Sequence, residues 1–63
     1  MKLVKLDFYL GGKQTGYFNA EQIVLIRDNP NKHHGWGSRI YLTDDSYWEI
    51  YQTPDEIYKL ISK

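Results

Sequence analysis

The stretch from residue 47 to residue 63 constrains the fold of this chain most strongly. Residues 47–52 are rich in aromatic and β-branched side chains and predict a strand, and the Thr-Pro-Asp-Glu sequence that follows predicts the start of a helix. Thr53 can accept hydrogen bonds from the free N–H groups of the first turn, and Pro54 loses no donor at the first helical position. Glu56 stands three residues after Thr53 and completes a capping box. We therefore predict a strand followed at once by a short helix.

Alternation of apolar and polar residues predicts most of the other strands. Residues 2–10 alternate, and the two glycines that follow predict a turn into a second strand over residues 15–18. Residues 38–43 alternate again and lead through an Asp-Asp-Ser turn into the strand described above. The side chains predicted to point inward from these strands are Val4, Leu6, Phe8, Leu10, Ile40, Leu42, Trp48 and Ile50.

Two further segments complete the predicted fold. Asn19 is placed to cap a single helical turn, and residues 23–26 form a continuous apolar run that predicts a central strand buried on both faces. In the terminal helix, Ile57, Leu60 and Ile61 form an apolar stripe that can cover one face of a sheet. The sequence thus predicts an α+β fold, a small antiparallel β-sheet of four to five strands with a single C-terminal helix packed on it.

The composition narrows the classes of protein to which the chain can belong. Residues 1–63 make a single small domain. A domain of this size buries little surface, so its stability depends either on close packing of the aromatic residues or on homo-oligomerisation, and the sequence leaves both possibilities open. Eight Lys and Arg residues balance eight Asp and Glu residues, so the overall positive charge that favours nucleic-acid binding is missing.

Cysteine is absent, which excludes disulfides and zinc–thiolate sites, and the first ten residues lack the apolar core of a signal peptide. We expect a cytoplasmic protein that does not enter a membrane.

No grouping of residues predicts a catalytic, metal or cofactor site. His33 and His34 are adjacent, and neighbours in an extended segment point to opposite sides, whereas a metal needs three or four convergent ligands. Asp44 and Asp45 suit the corner of a hairpin better than a pair of facing carboxylates. The glycines lack the strand-to-helix context of a phosphate-binding loop. We therefore expect a protein that is not an enzyme and holds no cofactor.

Tyrosines supply the remaining functional signal. Tyr41, Tyr47 and Tyr51 have the parity opposite to the core positions of their strands, as does Arg39, and Tyr and Arg are enriched in binding hot spots. Cross-strand packing within the protein is the alternative role of these tyrosines. Trp36 lies between two glycines in a loop, where it either packs over the sheet edge or contacts a partner. The residues predicted to bind a partner are Trp36, Arg39, Tyr41, Tyr47 and Tyr51.

Four segments carry a resemblance to a known family. They are residues 18–23 (Phe-Asn-Ala-Glu-Gln-Ile), 26–30 (Ile-Arg-Asp-Asn-Pro), 40–45 (Ile-Tyr-Leu-Thr-Asp-Asp) and 53–57 (Thr-Pro-Asp-Glu-Ile). In this order the chain resembles the short FlbD-like flagellar proteins, also called SwrD-like, over most of its length. It departs from them in its aromatic content and in the His-His-Gly-Trp-Gly loop. The resemblance implies a non-enzymatic role beside the flagellar motor.

Three functions remain open at the level of sequence. The first is a protein-interaction or regulatory module, either an adaptor or a small inhibitor of the kind that phages encode, with a protein as its partner. The second is binding of single-stranded nucleic acid by stacking on a tyrosine-rich sheet, which the balanced charge and the acidic residues near the tyrosines disfavour. The third is a small-ligand site shared between the subunits of an oligomer, with the loop around Trp36 closing over the ligand.

Overall fold

The computed structural model describes residues 1–32 and 34–63, and within them five strands form one antiparallel sheet that a helix covers on one side. The predicted fold class is confirmed. The elements along the chain are β1 (Leu3–Tyr9), β2 (Lys13–Asn19), a single 3₁₀ turn (Ala20–Gln22), β3 (Ile23–Asp28), β4 (Ser38–Leu42), β5 (Tyr47–Ile50) and helix α1 (Pro54–Ile61). In spatial order the strands run β2-β1-β5-β4-β3.

Both hairpin turns have the backbone conformation that their residues favour. Between β1 and β2 the N–H of Leu10 donates to the carbonyl of Gly12 over 2.9 Å, and Gly11 adopts a φ of 67°, which glycine reaches without steric cost. Between β4 and β5 the left-handed residue is Asp45, with a φ of 69°. Asp44 stabilises this second turn because its carboxylate accepts a hydrogen bond from the N–H of Ser46 over 3.1 Å.

Helix α1 begins and ends at residues that satisfy its free backbone groups. The hydroxyl of Thr53 accepts from the N–H of Glu56 over 3.2 Å, and the carboxylate of Glu56 accepts from the N–H of Thr53 over 2.8 Å. This is the predicted capping box. At the other end the ammonium group of Lys2 donates to the carbonyls of Ile61 and Lys63. The start of the chain therefore holds the last turn of the helix, and the positive charge complements the helix dipole there.

The hydrophobic core lies between helix α1 and the sheet. Its fully buried members come from β1, β4, β5 and α1: Val4, Leu6, Ile40, Ile50 and Ile57. Three aromatic rings extend the core toward β2, because Phe8 packs edge-on against both Phe18 and Trp48 with ring centroids 5.4 Å apart. These rings are the aromatic reinforcement expected for a chain of this length.

The predicted place of the third strand is wrong. Residues 23–26 were expected to form a buried central strand, but β3 is an edge strand and β5 is the central one. Val24 is 63% exposed and Leu25 is 49% exposed. The pairing with β4 shifts by one residue between Ile23 and Leu25, which leaves Val24 without a partner residue on β4. An unbroken apolar run therefore does not distinguish a buried strand from an edge strand whose apolar side chains face solvent.

Candidate functional site

The side of the sheet opposite helix α1 carries a row of tyrosines, and we call this surface the tyrosine face. Residues that pair directly across an antiparallel sheet share a face, so the register assigns the members of the surface. Tyr51 belongs to it because it follows β5 with the same alternation and its N–H donates to the carbonyl of Asp7 over 2.9 Å. The other members are Leu3, Lys5, Asp7, Tyr9, Lys13, Thr15, Tyr17, Asn19, Leu25, Arg27, Arg39, Tyr41, Tyr47 and Glu49.

Three of the predicted binding residues are packed together on β4 and β5, beside the turn that joins these two strands. Tyr41 and Tyr47 lie directly opposite each other, and their ring centroids are 5.7 Å apart at a tilt of 45°. The guanidinium carbon of Arg39 lies 4.5 Å from the centroid of the Tyr47 ring. Tyr47 nevertheless remains 54% exposed. The cluster thus offers an aromatic surface whose ring positions are fixed by neighbours before any partner arrives.

A partly buried polar network supports this cluster. The guanidinium of Arg39 donates two hydrogen bonds to the carboxylate of Glu49, over 2.8 and 3.0 Å. The buried side-chain amide of Asn29 donates to the same carboxylate over 2.9 Å and to the carbonyl of Ser38 over 3.0 Å. The hydrogen bonds from Arg39 and then from Asn29 lower the pKa of Glu49, and those to Glu49 raise the pKa of Arg39. The ion pair is therefore fully charged at neutral pH and orients the guanidinium over the Tyr47 ring.

Tyr51 and Asp7 form a second part of the tyrosine face. The ammonium group of Lys13 lies 5.0 Å from the centroid of the Tyr51 ring. The carboxylate of Asp7 accepts from the hydroxyl of Thr15 over 2.6 Å and from the side-chain amide of Gln52 over 3.0 Å. These hydrogen bonds, the one from Thr15 above all, lower the pKa of Asp7. A cation beside an aromatic ring thus occurs on both halves of the face.

Trp36 lies in the loop between β3 and β4 and is buried, with 9% of its surface exposed. Its ring packs against Tyr9 with centroids 5.2 Å apart and against His34 with centroids 4.7 Å apart. Of the two positions predicted for this side chain, the structure shows the one packed over the sheet. The next residue, Gly37, passes so close to the residues that follow β5 that a Cβ there would lie 2.8 Å from the carbonyl oxygen of Gln52. The predicted contact through Trp36 therefore offers little surface, and the ring supports the loop.

The tyrosine face is positively charged although the chain as a whole is neutral. Its four cationic side chains exceed its two carboxylates by two charges. Because the formal charge of the chain is zero, the remaining surface carries the opposite excess. Arg39 is neutralised by Glu49, but Arg27 lies directly opposite Arg39 and has no salt bridge to any residue in the described ranges. The face therefore combines exposed rings with cations that lack an internal counter-charge.

Sequence reasoning missed two contributors to this surface. Asn29 was not assigned to the core or to a binding surface, yet it is buried and links the loop to Glu49. Tyr17 was not assigned to a binding surface, although β2 places it on the tyrosine face opposite Lys5. The hairpin pattern held a signal for Tyr17, since a turn at the paired glycines sets which residues of β2 share a face with β1. No signal in the sequence singled out Asn29.

The described part of the chain contains no cluster of three or more His, Cys, Asp or Glu side chains that could hold a metal ion. His33, one of the two adjacent histidines weighed above as metal ligands, lies outside the described residues. Among residues 1–32 and 34–63, no helix has the length and apolar character needed to cross a bilayer.

Comparisons with protein-family models, with curated proteins and with solved structures give no significant match.

Proposed function

We propose that the chain is a non-enzymatic protein-interaction module that binds its partner through the tyrosine face. The observation that carries this proposal is the cluster of Arg39, Tyr41 and Tyr47, in which partly exposed rings pack with a guanidinium that the partly buried hydrogen bonds to Glu49 hold in place. Rigid aromatic anchors lose little conformational entropy on binding, and Tyr and Arg are the residue types that dominate interface energies. Tyr51 with Lys13 extends the same surface across the sheet.

The charge of the face specifies the chemistry of the partner. An excess of two positive charges, with Arg27 opposite Arg39, favours a protein surface that brings carboxylates to the rim of the tyrosine cluster. The resemblance to short FlbD-like proteins supports a regulatory partner in the flagellar machinery. A small inhibitor encoded by a phage is the other setting that fits a domain of this size.

Single-stranded nucleic acid is the second candidate ligand, since exposed rings with flanking cations can stack bases. The tyrosine face disfavours it, because Glu49 and Asp7 lie among the rings and only two charges remain in excess. We expect a labelled oligonucleotide to bind weakly in a fluorescence titration at about 0.15 M salt. Submicromolar binding with a steep salt dependence would reverse the order of the two candidates. A small-ligand site at an oligomer interface would need the Trp36 loop to open, and Trp36 is packed down.

Site-specific photocrosslinking tests the proposed surface. Tyr47 is replaced by p-benzoylphenylalanine in the cell that makes the protein, and Tyr58 is replaced in the same way as a matched control. Both positions are exposed, but Tyr58 lies on helix α1, away from the tyrosine face. We expect a discrete adduct from position 47 that is absent from position 58, with mass spectrometry identifying an acidic protein. No adduct at position 47, or the same adducts at both, would contradict the proposal.

A double variant then separates binding from folding. Tyr41→Ser with Tyr51→Ser should retain the far-ultraviolet circular dichroism of the parent while the adduct at position 47 disappears. If the double variant loses its secondary structure, these tyrosines act in cross-strand packing instead, which is their alternative role.

A further inference from the structure

The two edges of the sheet differ in how well they are protected. Strand β2 forms one edge and begins with three exposed polar residues, at positions 13–15. Strand β3 forms the other edge and exposes the aliphatic side chains of Val24 and Leu25. Edge strands are normally protected by charges, proline or short length, because unpaired backbone groups attract further strands. The β3 edge is therefore the better place for an additional strand.

The pairing with β4 determines which backbone groups of β3 point outward. The N–H of Asn29 donates to the carbonyl of Gly37 over 3.4 Å, and hydrogen-bonded pairs alternate with non-hydrogen-bonded pairs along an antiparallel ladder. Arg27 therefore directs its backbone groups toward β4, whereas Ile26 and Asp28 direct theirs away from the sheet. The outer edge of β3 thus presents two N–H and two C=O groups at the spacing of a new strand.

On the tyrosine face, this edge continues the surface proposed above for partner binding. Leu25 lies opposite Tyr41, which lies opposite Tyr47, so the three side chains form one row that ends at the edge. Arg27 is exposed and has no salt bridge within residues 1–32 and 34–63. A strand added here would place a side chain opposite Arg27, and a carboxylate is the group that complements it.

On the helix side, the same edge is apolar at one end and acidic at the other. The apolar part is a groove of about 300 Å³ that β3 forms with Ala20 and Ile61. The acidic part is a cleft of about 370 Å³ between the end of β3 and the start of α1, lined on its two sides by Asp28 and Asp55. Neither carboxylate has a salt bridge to a described residue. A basic side chain complements Asp28, and an apolar one fits beside the groove.

A second copy of this chain does not supply these complementary groups. A register centred on Arg27 places two arginines opposite each other, and one centred on Asp28 places two aspartates opposite each other. A register centred on Ile26 places Val24 opposite Asp28 of the second copy, so an aliphatic side chain meets a carboxylate. The shift in pairing with β4 at Val24 interrupts the regular edge beyond these residues. The charges therefore favour a strand of another protein.

We propose that the partner bound at the tyrosine face adds an extended segment to the outer edge of β3 as an antiparallel sixth strand. Along its own direction, the segment carries a basic residue opposite Asp28, then an acidic residue opposite Arg27, then an apolar residue opposite Ile26. Its backbone pairs with the outward groups of Ile26 and Asp28. This inference rests on the proposed function, because it specifies which part of that partner meets the edge.

Two peptides of the same composition test the order of charges. The first, acetyl-Thr-Lys-Glu-Val-Val-Thr-amide, has the proposed order, and the second, acetyl-Thr-Glu-Lys-Val-Val-Thr-amide, has the two charges exchanged. Nuclear magnetic resonance titrations run to millimolar peptide, because a few backbone hydrogen bonds give weak affinity. We expect the first peptide to move the amide proton resonances of Ile26 and Asp28 downfield, and to bind about three- to tenfold more tightly than the second.

Reversing the two charges of the edge should reverse the preference. The double variant Arg27→Glu with Asp28→Lys should bind the second peptide more tightly than the first. Both side chains are exposed, so we expect the variant to retain the circular dichroism of the parent. Equal binding of the two peptides to the parent, or binding that leaves the resonances of Ile26 and Asp28 in place, would overturn the edge pairing. Movement of these two resonances with protein concentration alone would assign the edge to a second copy and would also overturn it.

Photocrosslinking then relates the edge to the partner itself. p-Benzoylphenylalanine at position 25 should capture the same protein as it does at position 47, through a segment with the proposed order of charges. Leu10 is the matched control, since it is similarly exposed but lies in the β1–β2 turn. An adduct at position 47 alone would leave the proposed function standing and overturn the sixth strand. The predicted peptide preference without an adduct at position 47 would overturn the proposed function instead.

Discussion

The two faces of this sheet are made by the same strands and have opposite chemistry. On the helix side, alternate residues such as Leu6, Ile40 and Ile50 are fully buried. On the tyrosine face, their immediate neighbours are tyrosines and charged residues that interact with one another and stay partly exposed, as Tyr47 does. The helix side removes apolar area from water, and the tyrosine face makes local contacts of smaller energy. The difference places most of the stabilising burial on the helix side and leaves the tyrosine face for the recognition that we propose.

The largest expected effect tests the helix side. Ile57→Ala removes the buried anchor of helix α1 and should lower the free energy of unfolding by about 2–5 kcal/mol. In so small a domain that is a large share of the total stability. The neighbouring variant Tyr58→Ala removes a side chain that is 67% exposed and should change stability by less than about 0.5 kcal/mol. Urea unfolding followed by circular dichroism measures both, and equal effects would mean that α1 does not anchor the core.

An intermediate effect is expected where the tyrosine face contains a buried group. Asn29→Ala removes one of the three hydrogen bonds to the carboxylate of Glu49 and the side-chain hydrogen bond to the carbonyl of Ser38, and should cost about 1–3 kcal/mol. Asn19→Ala is the matched control, because Asn19 makes one exposed capping bond to the N–H of Glu21 and should cost only about 0.5–1 kcal/mol. Thermal unfolding of the two variants separates them. A cost at Asn29 no larger than at Asn19 would show that the polar network does not stabilise the fold.

The smallest effect concerns the charge of Glu49. Because hydrogen bonds from Arg39 and Asn29 lower its pKa in the folded state, its contribution is complete above the usual glutamate value of about 4.3 and is lost as the pH falls through the lower folded-state value. Glu49→Gln should therefore be less stable than the parent by about 1 kcal/mol at neutral pH. The difference should shrink toward zero in acid. Unfolding measured from about pH 7 to about pH 3 checks this sign, and a constant difference would contradict it.

Local sequence patterns predicted the secondary-structure elements. The order of the strands and the role of Asn29 depend on contacts between distant segments, which local patterns do not contain. The capping box at Thr53 and the parity of Tyr41 and Tyr47 follow from neighbouring residues, and the structure shows both. The position of β3 at the edge depends on β1 pairing with β5, and the apolar sequence of β3 carries no information about that pairing. The role of Asn29 was missed for the same reason, since it arises from a hydrogen bond to Glu49, twenty residues away. The sequence thus predicted that these tyrosines share one face of the sheet, but it did not predict the polar network that supports them.

The pairing of β1 with β5 has a consequence for how the protein is made. The hydrogen bonds between Asp7 and Gln52 join residues 45 positions apart, and this seam connects the β1–β2 hairpin to the other three strands. Helix α1, which contacts both β1 and β3, bridges the same seam and is translated after every strand. Because the ribosome adds residues in order, the β1–β2 hairpin leaves the exit tunnel before β5, its neighbour in the sheet, is available for pairing. The sheet therefore closes in one late step, after β5 and α1 have emerged, and a nascent chain that stops before them exposes the apolar side of its first hairpin.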